Sequence, residues 1–234
     1  MGEWVPESTG KSGARVWRGR GVHRKQDAPE RLAADAARLA WLGEQGLPCP
    51  EVVSLTHDTL TTTTVPGRPA TELDPAVRPR ALASLAEVLR ALHALPTAGC
   101  PFDASLGTTV AAARSRAVHG LVDLEDLDDE RRGWSARRLL AELDATLPAR
   151  EDLVVCHGDP GLPNVLFSAD GEVTGLLDVG GLGVADRCRD LAIAHRSTRD
   201  RLGTAAAQEL LERCGASDRD RDLLPFYRLL DEFF

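Results

Sequence analysis

Along the first third of the chain the apolar positions come in short runs, and between two of those runs they take up a helical period. Trp4-Val5-Pro6, Arg15-Val16-Trp17-Arg18 and Val22-His23-Arg24-Lys25-Gln26 read as strands separated by small-residue turns, and Glu51–Leu55 with Leu60–Val65 read as a strand pair around His57-Asp58. From Asp27 to about Gly46 the stripe is Leu32, Asp35, Leu39 and Leu42, spaced three, four and three, which predicts a helix with Asp35 in the middle of its apolar face. Asp27 suits the N-cap, Pro29 the first turn, and Leu47-Pro48-Cys49-Pro50 the stop. Beyond Val65-Pro66-Gly67 the pattern is mainly helical: Asp74–Leu95, Leu106 to about Leu121, Ser135 to about Leu147, a helix from about Asp186, then Thr204–Cys214 and Asp220–Phe233.

One stretch interrupts these helices. Leu153 to Cys156 reads as a short buried strand, and Asn164–Phe167 with Val173–Leu177 reads as a hairpin whose tip is Asp170-Gly171. Pairing about that tip opposes residues whose numbers sum to about 341, so Asn164 faces Leu177 and lies within one position of Asp178. Val179-Gly180-Gly181-Leu182-Gly183 then reads as a loop; its glycines follow a carboxylate instead of opening a helix, so they make no dinucleotide fingerprint.

The chemistry gathers here. His157-Gly158-Asp159 places a carboxylate at a strand exit, and Asn164 and Asp178 bring two hard oxygen donors to the open end of the hairpin. Such a pair suits Mg²⁺, which takes one or two protein groups and completes its shell with water and phosphate oxygens. A further carboxylate, Asp159, suits the orientation and deprotonation of a hydroxyl nucleophile. Each residue alone is ordinary turn chemistry; an Asp, then an Asn five residues on, then an Asp across a hairpin is the shape of a kinase catalytic loop. Lys25 on a strand and Asp35 inside an apolar helix face fit the same picture, because a carboxylate there needs a cation and the lysine would then reach the nucleotide α/β-phosphates. Thr9-Gly10-Lys11-Ser12-Gly13 can bring backbone N–H groups onto phosphate oxygens, although it lacks the Walker A spacing and leads into a strand. Thr62, Thr63, Thr64 and Val65 form a candidate hinge, about residues 62–67, whose backbone would meet an adenine edge.

Composition narrows the partners. Acidic residues exceed basic ones, 36 against 28, for a formal charge of −8, which disfavours nucleic acid and favours a cationic or neutral ligand. Only two lysines, Lys11 and Lys25, stand among the basic residues. Five scattered cysteines without a Cys-x-x-Cys indicate neither a disulfide framework nor a zinc site, and no apolar stretch reaches about 18 residues, so a cytoplasmic protein with no membrane anchor is expected. The run Asp123-Leu124-Glu125-Asp126-Leu127-Asp128-Asp129-Glu130 has two readings: a solvated acidic helix start balanced by Arg131 and Arg132, or a wall of carboxylates for a polycation.

Over nearly its full length the chain resembles the aminoglycoside phosphotransferases that act on the 3′-hydroxyl. The residues that carry the likeness are Trp4-Val5-Pro6, Arg38-Leu39-Ala40-Trp41-Leu42, Thr64-Val65-Pro66-Gly67, Val155-Cys156-His157-Gly158-Asp159, Asp178-Val179-Gly180, Gly183-Val184-Ala185-Asp186-Arg187 and Leu230-Asp231-Glu232-Phe233-Phe234. The resemblance implies an α+β, bilobal, protein-kinase-like fold: a small antiparallel-sheet lobe with one helix, residues 1–65, and a larger, mainly helical lobe, residues 66–234. It implies ATP and Mg²⁺ as cofactors, Asp159 as catalytic base, Asn164 and Asp178 as metal ligands, and Lys25 on the ATP phosphates with Asp35 as its partner. Ser12 and Gly13 would cover the β-phosphate, and Glu125, Asp128, Asp200 and the Phe234 carboxylate would take the amino groups of the sugar, while Asp190 would brace the catalytic loop. A monomer or weak dimer is expected. Two departures stand out: Gly181 where the family commonly carries an arginine, and Asp35 where it has Glu. They keep open a kinase for another cationic acceptor, or a nucleotide-binding protein with weak catalysis.

Overall fold

The computed structural model describes residues 4–7 and 13–234. Its strands are β1 (Val5–Glu7), β2 (Arg15–Arg18), β3 (Val22–Gln26), β4 (Val52–Leu55), β5 (Thr59–Thr63), β6 (Leu153–Cys156), β7 (Val165–Phe167), β8 (Val173–Leu176) and β9 (Gly183–Asp186). Its α-helices are α1 (Pro29–Glu44), α2 (Arg78–His93), α3 (Leu106–Val118), α4 (Ala136–Ala145), α5 (Cys188–Leu202), α6 (Thr204–Arg213) and α7 (Asp218–Asp231). The mixture is α+β, and the described residues pack into two compact units. One holds the chain up to Val88 together with Leu162–Gly180; the other holds Leu89–Gly161 and Gly181–Phe234.

In the first unit an antiparallel sheet runs in the order β1-β2-β3-β5-β4, with α1 packed on β4 and β5. Leu32, Leu39 and Leu42 are buried, as the stripe predicts, with Ala36 beside them and Asp35 half-buried, and full burial of each leucine stabilises by about 1.5–3 kcal/mol. The start of α1 differs from expectation. Ala28 is the capping residue, because the Asp27 carboxylate is drawn onto the Ala28 N–H at 2.7 Å and onto Arg31 Nε at 2.9 Å.

The β7–β8 hairpin belongs to this unit, and its register is the one the turn dictates: Val165 opposes Leu176 and Leu166 opposes Gly175. Gly171, at φ +85°, permits the turn, and Ser168 ties it by accepting the Glu172 N–H on its hydroxyl at 3.1 Å. The segment after β5 is fastened to the hairpin, since Arg68 and Phe167 exchange backbone hydrogen bonds of 3.0 and 2.9 Å. Glycine is required twice at this seam. A Cβ at Gly67, where φ is +138°, would lie 2.4 Å from Thr174 Oγ1, and one at Gly175 would lie 2.6 Å from Val65 Cγ1.

In the second unit α5 packs against α6 and α7, and β6 pairs antiparallel with β9. Strand β9 is a correction: the stretch entering residue 186 reads from sequence as a loop followed directly by a helix, but Gly183–Asp186 pairs with Leu153–Cys156. The glycine that made it look like loop is what allows the strand, because a Cβ at Gly183 would lie 2.8 Å from the Phe102 carbonyl oxygen. Helix α5 therefore begins at Cys188, with the buried Asp186 carboxylate accepting the Cys188 and Asp152 N–H groups at 2.8 and 2.9 Å. Among the described residues no helix is long and apolar enough to cross a membrane.

Candidate active site

Two clusters, one in each unit, hold the candidate catalytic residues. In the first unit Lys25 Nζ donates to Asp35 Oδ2 at 2.8 Å and lies 3.9 Å from Asp178 Oδ1. The Lys25–Asp35 pair expected from the stripe is thus formed. Burial alone would lower the Lys25 pKa, but the hydrogen bond and charge of Asp35, helped by Asp178 and Asp27, raise it, so the ammonium stays charged. Asp178 stands at φ +55°, in the left-handed region, and is the one non-glycine described residue with positive φ. That backbone turn ends the hairpin and leaves the carboxylate 60 % exposed. The Leu177 N–H donates to the Asn164 carbonyl at 2.8 Å, so Asn164 and Asp178 sit at the open end of the same hairpin. Gly180 then passes close to Asp35: a Cβ there would lie 3.3 Å from Oδ1.

In the second unit the loop after β6 is held from behind by Asp190, which is fully buried near the start of α5. Its carboxylate accepts the His157 N–H at 2.8 Å on one oxygen and the Gly158 N–H at 2.8 Å on the other, with His93 Nε2 at 3.0 Å. Burial works against this charge, but the His93 contact, the His157 charge and the Gly158 N–H hold the pKa below its ordinary value. The Asp159 N–H in turn donates to His157 Nδ1 at 3.2 Å, and Asp159 itself is partly buried at the loop's end. Gly158 has φ +93°, and a Cβ there would lie 2.4 Å from the Gly181 carbonyl oxygen, so no other residue fits without shifting the loop.

The acidic side of the second unit is more neutralised than its sequence suggests. Asp128 Oδ2 lies 3.4 Å from Arg196 Nη1 and 3.7 Å from Arg131 Nη1, and Arg196 also pairs with Asp231. Arg131, itself buried, holds Glu232 at 3.1 Å, and the Asp128 N–H reaches the same carboxylate at 3.2 Å. Burial and the neighbouring Asp128 nonetheless push the Glu232 carboxyl pKa up. Asp200 pairs with Arg199 at 2.8 Å, Glu125 is exposed, Phe233 is fully buried, and Phe234 is exposed with the Arg116 guanidinium 5.7 Å from its ring centre. Residues 123–131 form turns and a short 3₁₀ segment, Asp129–Arg131, and do not start a helix, because Asp128 and Arg131 are tied to Glu232.

The hinge candidates lie in the first unit. Thr62 and Thr63 close β5; the Thr63 N–H donates to the Glu51 carbonyl at 2.9 Å and the Thr64 N–H to the Gly21 carbonyl at 2.9 Å. Gly13 is exposed at φ +73°. Ser12 lies outside the described residues.

Residues 14–227 match the model of the phosphotransferase enzyme family. The chain belongs to this family. It is 45 % identical to the aminoglycoside 3′-phosphotransferase of Streptomyces fradiae, over 99 % of this chain and 95 % of that one. Among solved structures it resembles an aminoglycoside-3′-phosphotransferase of type VIII at TM-score 0.89 and 44 % identity, covering 100 % of this chain and 94 % of the other. It also resembles the aminoglycoside phosphotransferase APH(3″)-Id of Streptomyces rimosus in complex with ADP and streptomycin, at TM-score 0.85 and 32 % identity, over 98 % and 92 % of the two chains. The resemblance and the kinase-like α+β fold inferred from the sequence are both borne out.

Three ion pairs of this phosphotransferase escape a reading of its sequence. His93 completes the support of Asp190, Arg196 neutralises Asp128, and Glu232 is the buried partner of Arg131, whose tie to the acidic run itself the sequence does suggest; these pairs join residues far apart along the chain, so no local spacing announces them. The last signal available was the acidic run itself, whose excess of carboxylates calls for cations.

Proposed function

We propose that this phosphotransferase transfers the γ-phosphoryl group of ATP to a hydroxyl, the 3′-hydroxyl, of an aminoglycoside and so inactivates it. The observation that carries the reading is the Lys25–Asp35 pair lying beside Asp178, in a chain whose full-length relatives carry that activity in their names. Lys25 binds the ATP α/β-phosphates while Asp35 keeps it charged and aimed. Gly13, with Ser12 next to it, covers the β-phosphate through backbone N–H groups. With the Thr63 and Thr64 N–H groups already donated within the sheet, an adenine edge meets the carbonyls of Thr62–Val65 and the Val65 N–H. Residues 1–65 then serve as the nucleotide lobe and 66–234 as the catalytic and acceptor lobe.

Asn164 and Asp178 fit Mg²⁺: both are hard oxygen donors at one hairpin end, and the Asp178 carboxylate is mostly exposed, with Lys25 as its near cation. Bound there, the ion would neutralise charge on the phosphate oxygens. Asp159 orients the acceptor hydroxyl and takes its proton, from a loop whose two preceding N–H groups are locked by Asp190. Glu125, Asp128, Asp200 and Phe234 receive the acceptor's ammonium groups. The enzyme works as a cytoplasmic monomer or weak dimer. The test is Mg·ATP-dependent phosphorylation of matched aminoglycosides with and without a 3′-hydroxyl. Transfer confined to the 3′-hydroxyl compounds is expected; equal transfer to the 3′-deoxy compounds would move the reaction to another hydroxyl, and ATP binding without transfer to either would remove the aminoglycoside.

A further inference from the structure

The catalytic loop has a second support besides Asp190, and it comes from the neighbouring residue. Strands β6 and β9 end their pairing at Cys156 opposite Gly183, and beyond it the two chains continue as the Gly158 and Gly181 turns. These turns are stacked backbone on backbone. A Cβ at Gly158 would lie 2.4 Å from the Gly181 oxygen, and one at Gly181 would lie 3.2 Å from the Gly158 Cα. The position of Gly158, and of the Asp159 that follows it, therefore depends on where the Gly181 carbonyl is held.

Arg189, in the first turn of α5, holds it. Its Nη1 donates to the Gly181 oxygen at 3.2 Å, and its Nη2 lies 3.0 Å from the place a Gly181 side chain would begin. A side chain at 181 would crowd the end of that guanidinium. The half-buried guanidinium also acts on Cys156, where its charge opposes the rise in thiol pKa that burial imposes. Arg189 and Asp190 thus grip the loop by complementary means, one taking the carbonyl it rests on and the other its N–H groups. We infer that Arg189 is a positioning residue for the phosphoryl-transfer step, fixing the Gly158–Gly181 stack so that Asp159 is held in register for the acceptor hydroxyl.

This inference rests on Asp159 as the base, so its test has one arm that needs no turnover. Arg189→Ala, Arg189→Gln and Arg189→Lys are compared with the wild-type enzyme by steady-state kinetics and by amide hydrogen exchange. Loss of the charged hydrogen bond is expected to lower kcat by roughly tenfold or more in the Ala and Gln variants, with KM for ATP and acceptor within about twofold, because a small misplacement of a catalytic group acts on the chemical step. Arg189→Lys, which restores a cationic donor, should recover part of kcat. Exchange should rise at His157, Gly158 and Asp159 and stay unchanged in α7. Unaltered kcat in Arg189→Ala, or exchange that rises equally through α5, α6 and α7, would overturn the inference and leave Arg189 as ordinary packing. If the wild type transfers no phosphate to any aminoglycoside, the assigned reaction fails, while the exchange pattern still decides whether Arg189 holds the loop.

Discussion

A single ion pair sets the charge state of Lys25, the lysine proposed to bind the nucleotide phosphates. Lys25 is partly buried, and burial favours its neutral form; Asp35 and Asp178 reverse that and raise the pKa above its ordinary value. Replacing Asp35 by Asn removes the larger opposing contribution and lets burial prevail, so the Lys25 pKa falls. The sign follows: nucleotide affinity of Asp35→Asn should match the wild type most nearly at low pH and weaken as pH rises, while the wild type stays flat across the same range. Nucleotide titrations at several pH values check this, and parallel curves would refute the coupling. Asp35 is also one methylene shorter than the Glu that the family resemblance leads one to expect, yet the 2.8 Å contact is made, so the shorter side chain does not break the pair.

At the scale of elements, the turns and glycines decide where the site residues stand. The Gly67→Ala variant is expected to lose about 2 kcal/mol or more, because its φ is +138° and its Cβ would meet both Thr174 and the Phe167 carbonyl; urea unfolding measures it, and a wild-type midpoint would contradict the packing described. The β7–β8 hairpin was legible in the sequence because Asp170-Gly171 fixes its register, and with the register came the closeness of Asn164 and Asp178. The Lys25–Asp35 pair was legible because a carboxylate within an apolar stripe demands a nearby cation. Strand β9 was not, since Gly183 lowers strand propensity and its role depends on the Phe102 carbonyl, contributed from far upstream. The cap of α1 was misread because Asp27 had a competing partner in Arg31, one turn into the helix. The roles of Arg196 and Arg189, and the tie of Arg131 to Glu232, are not legible either, because those partners are set by tertiary packing rather than by spacing.

The whole molecule carries a net charge of −8, which raises the local concentration of a polycationic acceptor. Because Arg131 and Arg196 already neutralise part of the acidic cluster, much of that attraction is long-range, and the acceptor KM should rise steadily with salt while kcat changes little. A salt-independent KM would place the recognition in short, shielded contacts instead. Stability should fall on acidification for a related reason. Burial opposes ionisation at Asp190, Asp186 and Asp220, but their hydrogen bonds and cationic partners depress all three below the ordinary value of 3.8. Above 3.8 folded and unfolded chains are both ionised and this contribution is complete; below it the unfolded chain takes up protons first, and the contribution is lost as pH falls through the folded values. Urea titrations in that acidic range should show a smaller acid-dependent loss in Asp190→Asn than in the wild type. The central claim is that Asp159 is the base of phosphoryl transfer, and the most direct measurement is single-turnover transfer from Mg·ATP by Asp159→Ala beside the wild type, with nucleotide binding measured on both. The expected result is a rate lower by at least about 10²–10⁴-fold with ATP affinity preserved. Transfer at a near wild-type rate in that variant would contradict the account.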